Sequence, residues 1–312
     1  MKTIKTEIVS WLILLSLVLV WGSSFILIKK GLDFYSPLEL GSLRIVIAFL
    51  CLLPFSFSRF KKVDRKSLYY ILVSGVVGSA IPAILFSLAE VGLDSSSAGI
   101  LNSLTTVFTL IVGILFFRGT SNWINIVGVV IGLAGTVGLL TVSGGHSLNF
   151  NIHYGLYIIM ATIMYAFNAN IIKYKLKEVD PETITILAFT MAGIPSLILL
   201  GSATDFFHQI ATDKESWQGL IYVGILGAIG TALAMMFYNK LIKNISAVFA
   251  SSVTYMMPVI AIIWGVLDGE TFKISFLSWI LLILLGVLMV SKRNVGYSLK
   301  SKRADTRTEI TP

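Results

Sequence analysis

The stretch ILVSGVVGSAIPAILFSLAE at residues 71–90 has a counterpart 152 residues later, VGILGAIGTALAMMFYNKLI at 223–242: Gly75 falls on Gly227, Gly78 on Gly230 and Ala80 on Ala232. The same offset carries into the next apolar run. It pairs Ala98 with Ala250, Val107 with Val259, Ile111 with Ile263, Gly113 with Gly265 and Leu115 with Leu267. Nearer the start of each half the offset is 144, which places Ile28 on Ile172, Lys29 on Lys173 and Pro37 on Pro181. A longer connection between the seventh and eighth apolar runs accommodates the difference. The chain therefore reads as one unit written twice.

What kind of unit follows from composition. The 312 residues are 56% hydrophobic and 13% charged, with mean hydropathy +0.87, against roughly 25% charged in soluble domains. That excludes a soluble globular domain. A helix crossing ~30 Å of hydrocarbon needs about 20 mostly apolar residues, because lipid offers no partner to a free backbone N–H or C=O. Runs of that kind are predicted at 9–28, 37–57, 68–91, 96–117, 122–141, 154–172, 183–202, 218–239, 246–267 and 275–291. Connections are short, and the polar segment after Ser291 is expected to be a disordered tail, 293–312.

Basic residues are retained on the cytoplasmic side of a membrane. With the N-terminus inside, the inner connections hold Lys2 and Lys5, the cluster Arg59, Lys61, Lys62, Arg65 and Lys66, then Arg118, Lys173, Lys175, Lys177, Lys240, Lys243 and the basic tail. Only Lys29, Lys30, Lys214 and Lys273 fall outside, and Arg44 lies within a span. Both termini are thus expected to be cytoplasmic. The net charge of +8 is a topology signal, and no nucleic acid is expected as a partner. Lys2 and Lys5 before an apolar run ending in WGSSF resemble a signal peptide, but the repeat gives that helix a counterpart and so assigns it to the fold. Five spans per half, an odd number, force the second half to enter from the opposite side. The expected architecture is all-α: ten transmembrane helices as two inverted five-helix repeats, 1–145 and 146–292, with a site at the midplane between them.

WGSSFILIKKGL at 21–32, LRIVIAF around Arg44 and SSVTYMMPVIAIIWGVLDGE at 251–270 resemble EamA-type members of the drug/metabolite transporter superfamily, and the resemblance extends over spans one to ten. It implies a central cavity lined by spans one, three, four, six, eight and nine, with spans five and ten peripheral. It also implies export of a small metabolite such as an amino acid. The first half departs from the family pattern, carrying Thr106 and Arg118 where a proline and an acidic residue are usual, whereas the second half keeps Pro258 and Glu270.

Polar groups within hydrocarbon are the informative positions, since each is costly unless it faces a partner or water. Arg44 lies about 10 Å from the outer boundary at 1.5 Å per residue. It either orients helices, by snorkelling or by pairing with Glu90, or it serves substrate or gating. Trp21 and Ser24 stand one turn apart on span one, and the 144 offset maps them to Tyr165 and Asn168 on span six. Such aromatic and hydrogen-bonding pairs on both sides of a pseudo-axis suit a flat or zwitterionic solute; an interfacial aromatic belt is the alternative. Asn102 and Thr254 are matched by the 152 offset, and Tyr255 follows. Pro258 and Pro82 deprive the carbonyls of Thr254 and Gly78 of their helical donors, leaving either a plain kink or acceptors for substrate. Tyr238 and Asn239 supply polar groups near the inner end of span eight. The glycines, Gly75, Gly78, Gly128, Gly132, Gly224, Gly227 and Gly230, read as close-packing surfaces, since a phosphate loop would need a strand before it.

No acidic residue occupies mid-span, as an obligatory proton carrier would require. Cys51 is the lone cysteine, and His146, His153 and His208 have no second ligand at metal spacing. Neither metal nor cofactor is expected, and no catalytic set can be assembled. The sequence reading is an inner-membrane secondary transporter working by alternating access on a small solute, as monomer or homodimer in the bilayer. A non-transporting receptor or lipid-facing enzyme on the same body is the other class. The topology is checked by fusions: green fluorescent protein after Pro312 should fluoresce, and alkaline phosphatase inserted after Gly144 should be active. The reverse pattern contradicts the orientation.

Overall fold

The structure, a computed structural model, describes residues 2–93, 95–143, 152–267 and 274–291. Among these, the regular elements are all helical. Six helices are long and apolar enough to cross a membrane, and four more carry shorter apolar stretches. In chain order, α1 runs Lys2–Gly22 and, after an interruption at Ser23, Ser24–Leu32. Helix α2 is Pro37–Leu52, and α3 is Arg65–Gly75, Val76–Ala80 and Ile81–Glu90. Then come α4 (Ser95–Phe117), α5 (Trp123–Ser143), α6 (Ile152–Tyr174) and α7 (Pro181–Ser202). Helix α8 is Ser216–Gly227, Ala228–Leu233 and Ala234–Asn244, α9 is Ala247–Ser251 and Val253–Leu267, and α10 is Ser275–Ser291. The tail, His146, Asp268, Glu270 and Lys273 lie outside the described residues.

Two starts separated by 144 residues use the same chemistry. Helix α2 opens with Pro37 behind a Ser36/Glu39 capping box, and α7 opens with Pro181 behind Asp180, which accepts the Thr183 N–H. Arg59 reinforces the second start, reaching Asp180 at 3.1 Å and Glu182 at 3.2 Å. Burial alone would raise the Asp180 carboxyl, but hydrogen bonds from Thr183 and the Arg59 charge outweigh it and hold the group below its ordinary value. Its contribution is therefore present above the unfolded carboxylate's pKa and is lost as pH falls through the folded one.

Helices α3 and α8 each widen into a π turn, Val76–Ala80 and Ala228–Leu233, beginning 152 residues apart. Pro82 follows the first turn closely, but its counterpart in α8 is Ala234, so the widening does not require proline. Span three thus carries both its proline and a widened turn, and span eight the turn alone. In α9 the interruption lies at Ser252, whose N–H bonds the Val248 carbonyl, six residues before Pro258. Pi turns of this kind concentrate at functional sites.

Small residues decide how closely the helices approach. A Cβ on Gly286 of α10 would lie 2.5 Å from the Gly132 nitrogen and 2.8 Å from the Gly128 carbonyl oxygen of α5. A Cβ on Gly227 would lie 3.0 Å from the Arg44 carbonyl oxygen, and one on Gly75 would overlap that of Ala188. Gly224, expected on the same packing surface, has nothing within 4 Å of a built Cβ. Outward positions such as Leu115, Phe116, Ile198, Ile221 and Leu281 are apolar and exposed, as a lipid-facing surface requires.

Gly286→Ala should therefore force α5 and α10 apart at a cost of about 1–3 kcal/mol. Gly224→Ala, placed in open space, should be neutral or stabilising through helix propensity. Thermal unfolding of the purified protein checks this: G286A melts below wild type and G224A does not. Equal melting temperatures for the two variants contradict the packing account.

Candidate functional site

A cavity of about 110 Å³ lies between the helices, several times the 10–15 Å³ that houses one water by the same measure. Its wall is supplied by α1 (Trp21, Ser24, Phe25, Ile28), α3 (Gly78, Ser79, Ala83, Phe86), α4 (Asn102, Thr105) and α6 (Tyr165, Asn168). The remainder comes from α8 (Gly230, Thr231, Met235, Tyr238), α9 (Val253, Thr254, Met257) and α2 (Arg44, Ile45). Helices α5, α7 and α10 supply none of these residues. The wall is thus the set of six helices that the resemblance implied, with α2 added.

The π turn of α8 is the most heavily engaged part of the wall. Trp21 donates from Nε1 to the Gly230 carbonyl at 2.8 Å, inside the widened turn. One residue on, the Thr231 hydroxyl donates to the Leu226 carbonyl at 2.9 Å and accepts from Arg44 Nε at 2.8 Å. Arg44 is therefore held by Thr231, and among the described residues it forms no ion pair with Glu90. Trp21, half-buried and bonded across to α8, is not part of an interfacial belt. Ser24 Oγ satisfies itself on the Val20 carbonyl at 2.9 Å.

Contacts elsewhere on the wall are longer. Asn102 Nδ2 stands 3.6 Å from the Met257 sulfur, and its Oδ1 accepts from Thr105 at 3.4 Å. Thr254 donates to the Ser251 carbonyl at 3.0 Å, so the 3.3 Å contact with Thr106 has Thr106 as donor. Asn168 is 2% exposed, yet its Oδ1 has no hydrogen-bond partner.

Two aromatic pairs bracket this space: Trp21 with Tyr238, centroids 5.2 Å apart, and Tyr165 with Phe86 at 6.0 Å. Their members are related by the 144 and 152 offsets. Ser24 and Asn168 are matched by the first offset and Gly230 and Gly78 by the second. A Cβ on Gly230 would meet Ser24 Oγ at 3.3 Å, and one on Gly78 would overlap the Asn168 amide.

Eight of the ten predicted polar or aromatic positions thus line one cavity. Asn239 and Tyr255 do not. Asn239 is turned to α7, where its Nδ2 donates to Thr185 Oγ1 at 2.9 Å. Tyr255 is fully buried against α5, its hydroxyl on the Val129 carbonyl at 3.0 Å. Neighbouring residues on a helix point about 100° apart, so Tyr238 and Thr254 at the wall direct Asn239 and Tyr255 away from it.

The sequence reading missed Thr231, Phe86 and Met257, although the repeat places Thr231 beside Gly230 and Phe86 opposite Tyr238. It also assigned Lys173 and Lys243 to topology alone. Lys173 Nζ donates to the carbonyls of Ile242, Lys243 and Ile245 at 2.9, 3.2 and 3.2 Å, and Lys243 Nζ donates to the Leu176 carbonyl. These bonds tie the ends of α6 and α8 together. Among the described residues no group of three or more His, Cys, Asp or Glu side chains is placed to hold a metal.

The EamA-like transporter family matches the chain twice, over residues 9–141 and 154–292. The inner membrane transporter YedA of Escherichia coli, itself uncharacterized, is 29% identical over 289 residues, 89% of each chain. An uncharacterized transporter of Archaeoglobus fulgidus is 26% identical over 91% of this chain and 99% of its own. The S-adenosylmethionine/S-adenosylhomocysteine transporter of Chlamydia muridarum is 25% identical over 91% of this chain and 92% of its own. A crystal structure 16% identical in sequence superposes with a TM-score of 0.68, over 90% of this chain and 96% of that one, a likeness of fold. Matched in both halves around one central cavity, this chain belongs to the EamA-like transporter family and is a multi-pass membrane transport protein.

Proposed function

We propose that the protein is a secondary transporter of the inner membrane, exporting amino acids or related solutes through this cavity by alternating access. Its body is two inverted five-helix repeats, 1–145 and 146–292, with both termini cytoplasmic. The observation that carries the reading is the matched contacts around the cavity. Trp21·Tyr238 answers Tyr165·Phe86, and Ser24·Gly230 answers Asn168·Gly78. Gly227 under the Arg44 carbonyl likewise answers Gly75 under that of Ala188. An inverted repeat built on equivalent contacts has two equivalent ways to close, one toward each side of the membrane.

The two ends differ in a way that suits one such closed state. Lys173 caps the end of α8, but among the described residues its counterpart Lys29 makes no hydrogen bond to the matched end of α3. In this reading the tie between α6 and α8 seals the cytoplasmic end, and the cycle breaks it while the Lys29 end closes. Trp21, Ser24, Arg44, Asn102, Tyr165, Asn168, Tyr238 and Thr254 line the solute path. The named substrates of the chlamydial relative each carry an amino-acid end and a flat base, chemistry that favours amino-acid-bearing solutes here.

Purified protein in proteoliposomes preloaded with amino acids, nucleosides, sugar phosphates or cationic dyes should give counterflow of amino-acid-bearing solutes. Trp21→Ala, which removes both the bond to Gly230 and the ring on Tyr238, should slow it by about tenfold or more. No flux of any class from folded protein contradicts transport and favours a receptor.

A further inference from the structure

We propose that the cavity recognises the two ends of its solute with unlike partners. Arg44 binds a carboxylate or equivalent oxoanion, and Asn168 Oδ1 accepts an N–H from an amino or amide group. The inference rests on the transport reading and adds to it which chemical groups the site selects and which it rejects.

Arg44 is the one charged side chain among the described residues of the wall. A guanidinium offers five N–H donors in a planar fork, and the structure uses only Nε, on Thr231. That bond fixes the plane of the fork, and the terminal amines donate to no protein acceptor among the described residues. Glu90 is near enough to act on Arg44 electrostatically, but it does not line the cavity and makes no ion pair with it. A guanidinium at this depth is costly without a partner, and the cavity supplies no protein anion. The partner that fits is an anionic group on the solute, held by charge-assisted and bidentate bonds.

The second half supplies the opposite requirement. Asn168 is buried at the wall with an unpaired acceptor oxygen, and a buried acceptor left unmade is expensive. Its amide fills the place a Cβ on Gly78 would take, so the backbone of α3 supports the side chain in place. Its matched residue Ser24 is already satisfied on Val20, and the residue matched to Arg44 is Ala188. The repeat has therefore diverged into a cationic group from α2 and an accepting group from α6, with Trp21, Tyr238, Phe86 and Tyr165 on the same wall. A decarboxylated amine would set a cation against Arg44 and leave its donors empty.

The test is thermal stabilisation of the purified protein by each of the proteinogenic amino acids, their decarboxylated amines and their carboxamides, followed by flux for those that bind. Stabilisation confined to carboxylate-bearing members is expected. In Arg44→Gln the affinity for the best of them should fall about tenfold or more, the loss of a charged hydrogen bond. Arg44→Lys should fall between, keeping the charge without the fork. Asn168→Leu should reduce preference for the amino acid over the carboxylic acid that lacks its amino group. Stabilisation by the amines or carboxamides as strong as by the acids, or R44Q equal to wild type, overturns the inference while leaving transport intact. The wild-type panel does not depend on any variant folding, and silence from all its members also overturns it. Failure of the transport reading itself is read separately, from the absence of flux across every solute class.

Discussion

Within hydrocarbon a backbone that departs from regular helix must have its polar groups met by protein or by a water-filled space. That constraint governs this structure at the π turn of α8. Trp21 from α1 bonds the Gly230 carbonyl, and Arg44 from α2 bonds Thr231, which in turn bonds Leu226. Three helices are thereby held around one irregular turn, and the space left beside it is the cavity. The glycines follow from the same geometry. Gly227 and Gly230 let the Arg44 backbone and Ser24 come up to the turn, and Gly75 and Gly78 do so for Ala188 and Asn168.

The two halves share contacts and differ in chemistry, and both facts bear on function. Shared contacts are what the proposed alternation between two closures requires. Different chemistry would give a solute a preferred orientation in the cavity. The ends of α6 and α8 are joined by lysine-to-carbonyl bonds that are individually modest, about 0.5–1.5 kcal/mol for a typical hydrogen bond and more with charge. Bonds of that size can be exchanged during a transport cycle without unfolding the helices they join.

Much of the fold was legible because its signals are additive along the chain. Apolar runs mark the helices, and two offsets mark the unit that the family matches twice. The cavity was legible for a related reason: a polar residue in an apolar run has few places to face, so Trp21, Ser24, Arg44, Asn102, Tyr165, Asn168, Tyr238 and Thr254 converge. The failures are local. Tyr255 and Asn239 were placed beside the cavity by adjacency in sequence, which on a helix means a different face. Pro82 and Pro258 marked spans three and nine as irregular but not where the irregularity starts: the widened turns begin at Val76 and Ala228 and the break in α9 is at Ser252. The proline-free turn of α8 shows that widening of this kind does not need a proline to mark it in the sequence. Lys173 read as a topology charge because the carbonyls it caps are about 70 residues away, a contact only the folded chain creates.

The central claim is that one cavity opens in turn to each side of the membrane. It is tested most directly by a single cysteine at Thr254 in a Cys51→Ser background, treated with a membrane-impermeant thiol reagent in right-side-out and in inverted vesicles. Labelling from both sides is predicted, with fully buried Tyr255→Cys inert in each. Labelling of Thr254→Cys from one side only, in protein that still folds, would contradict the account.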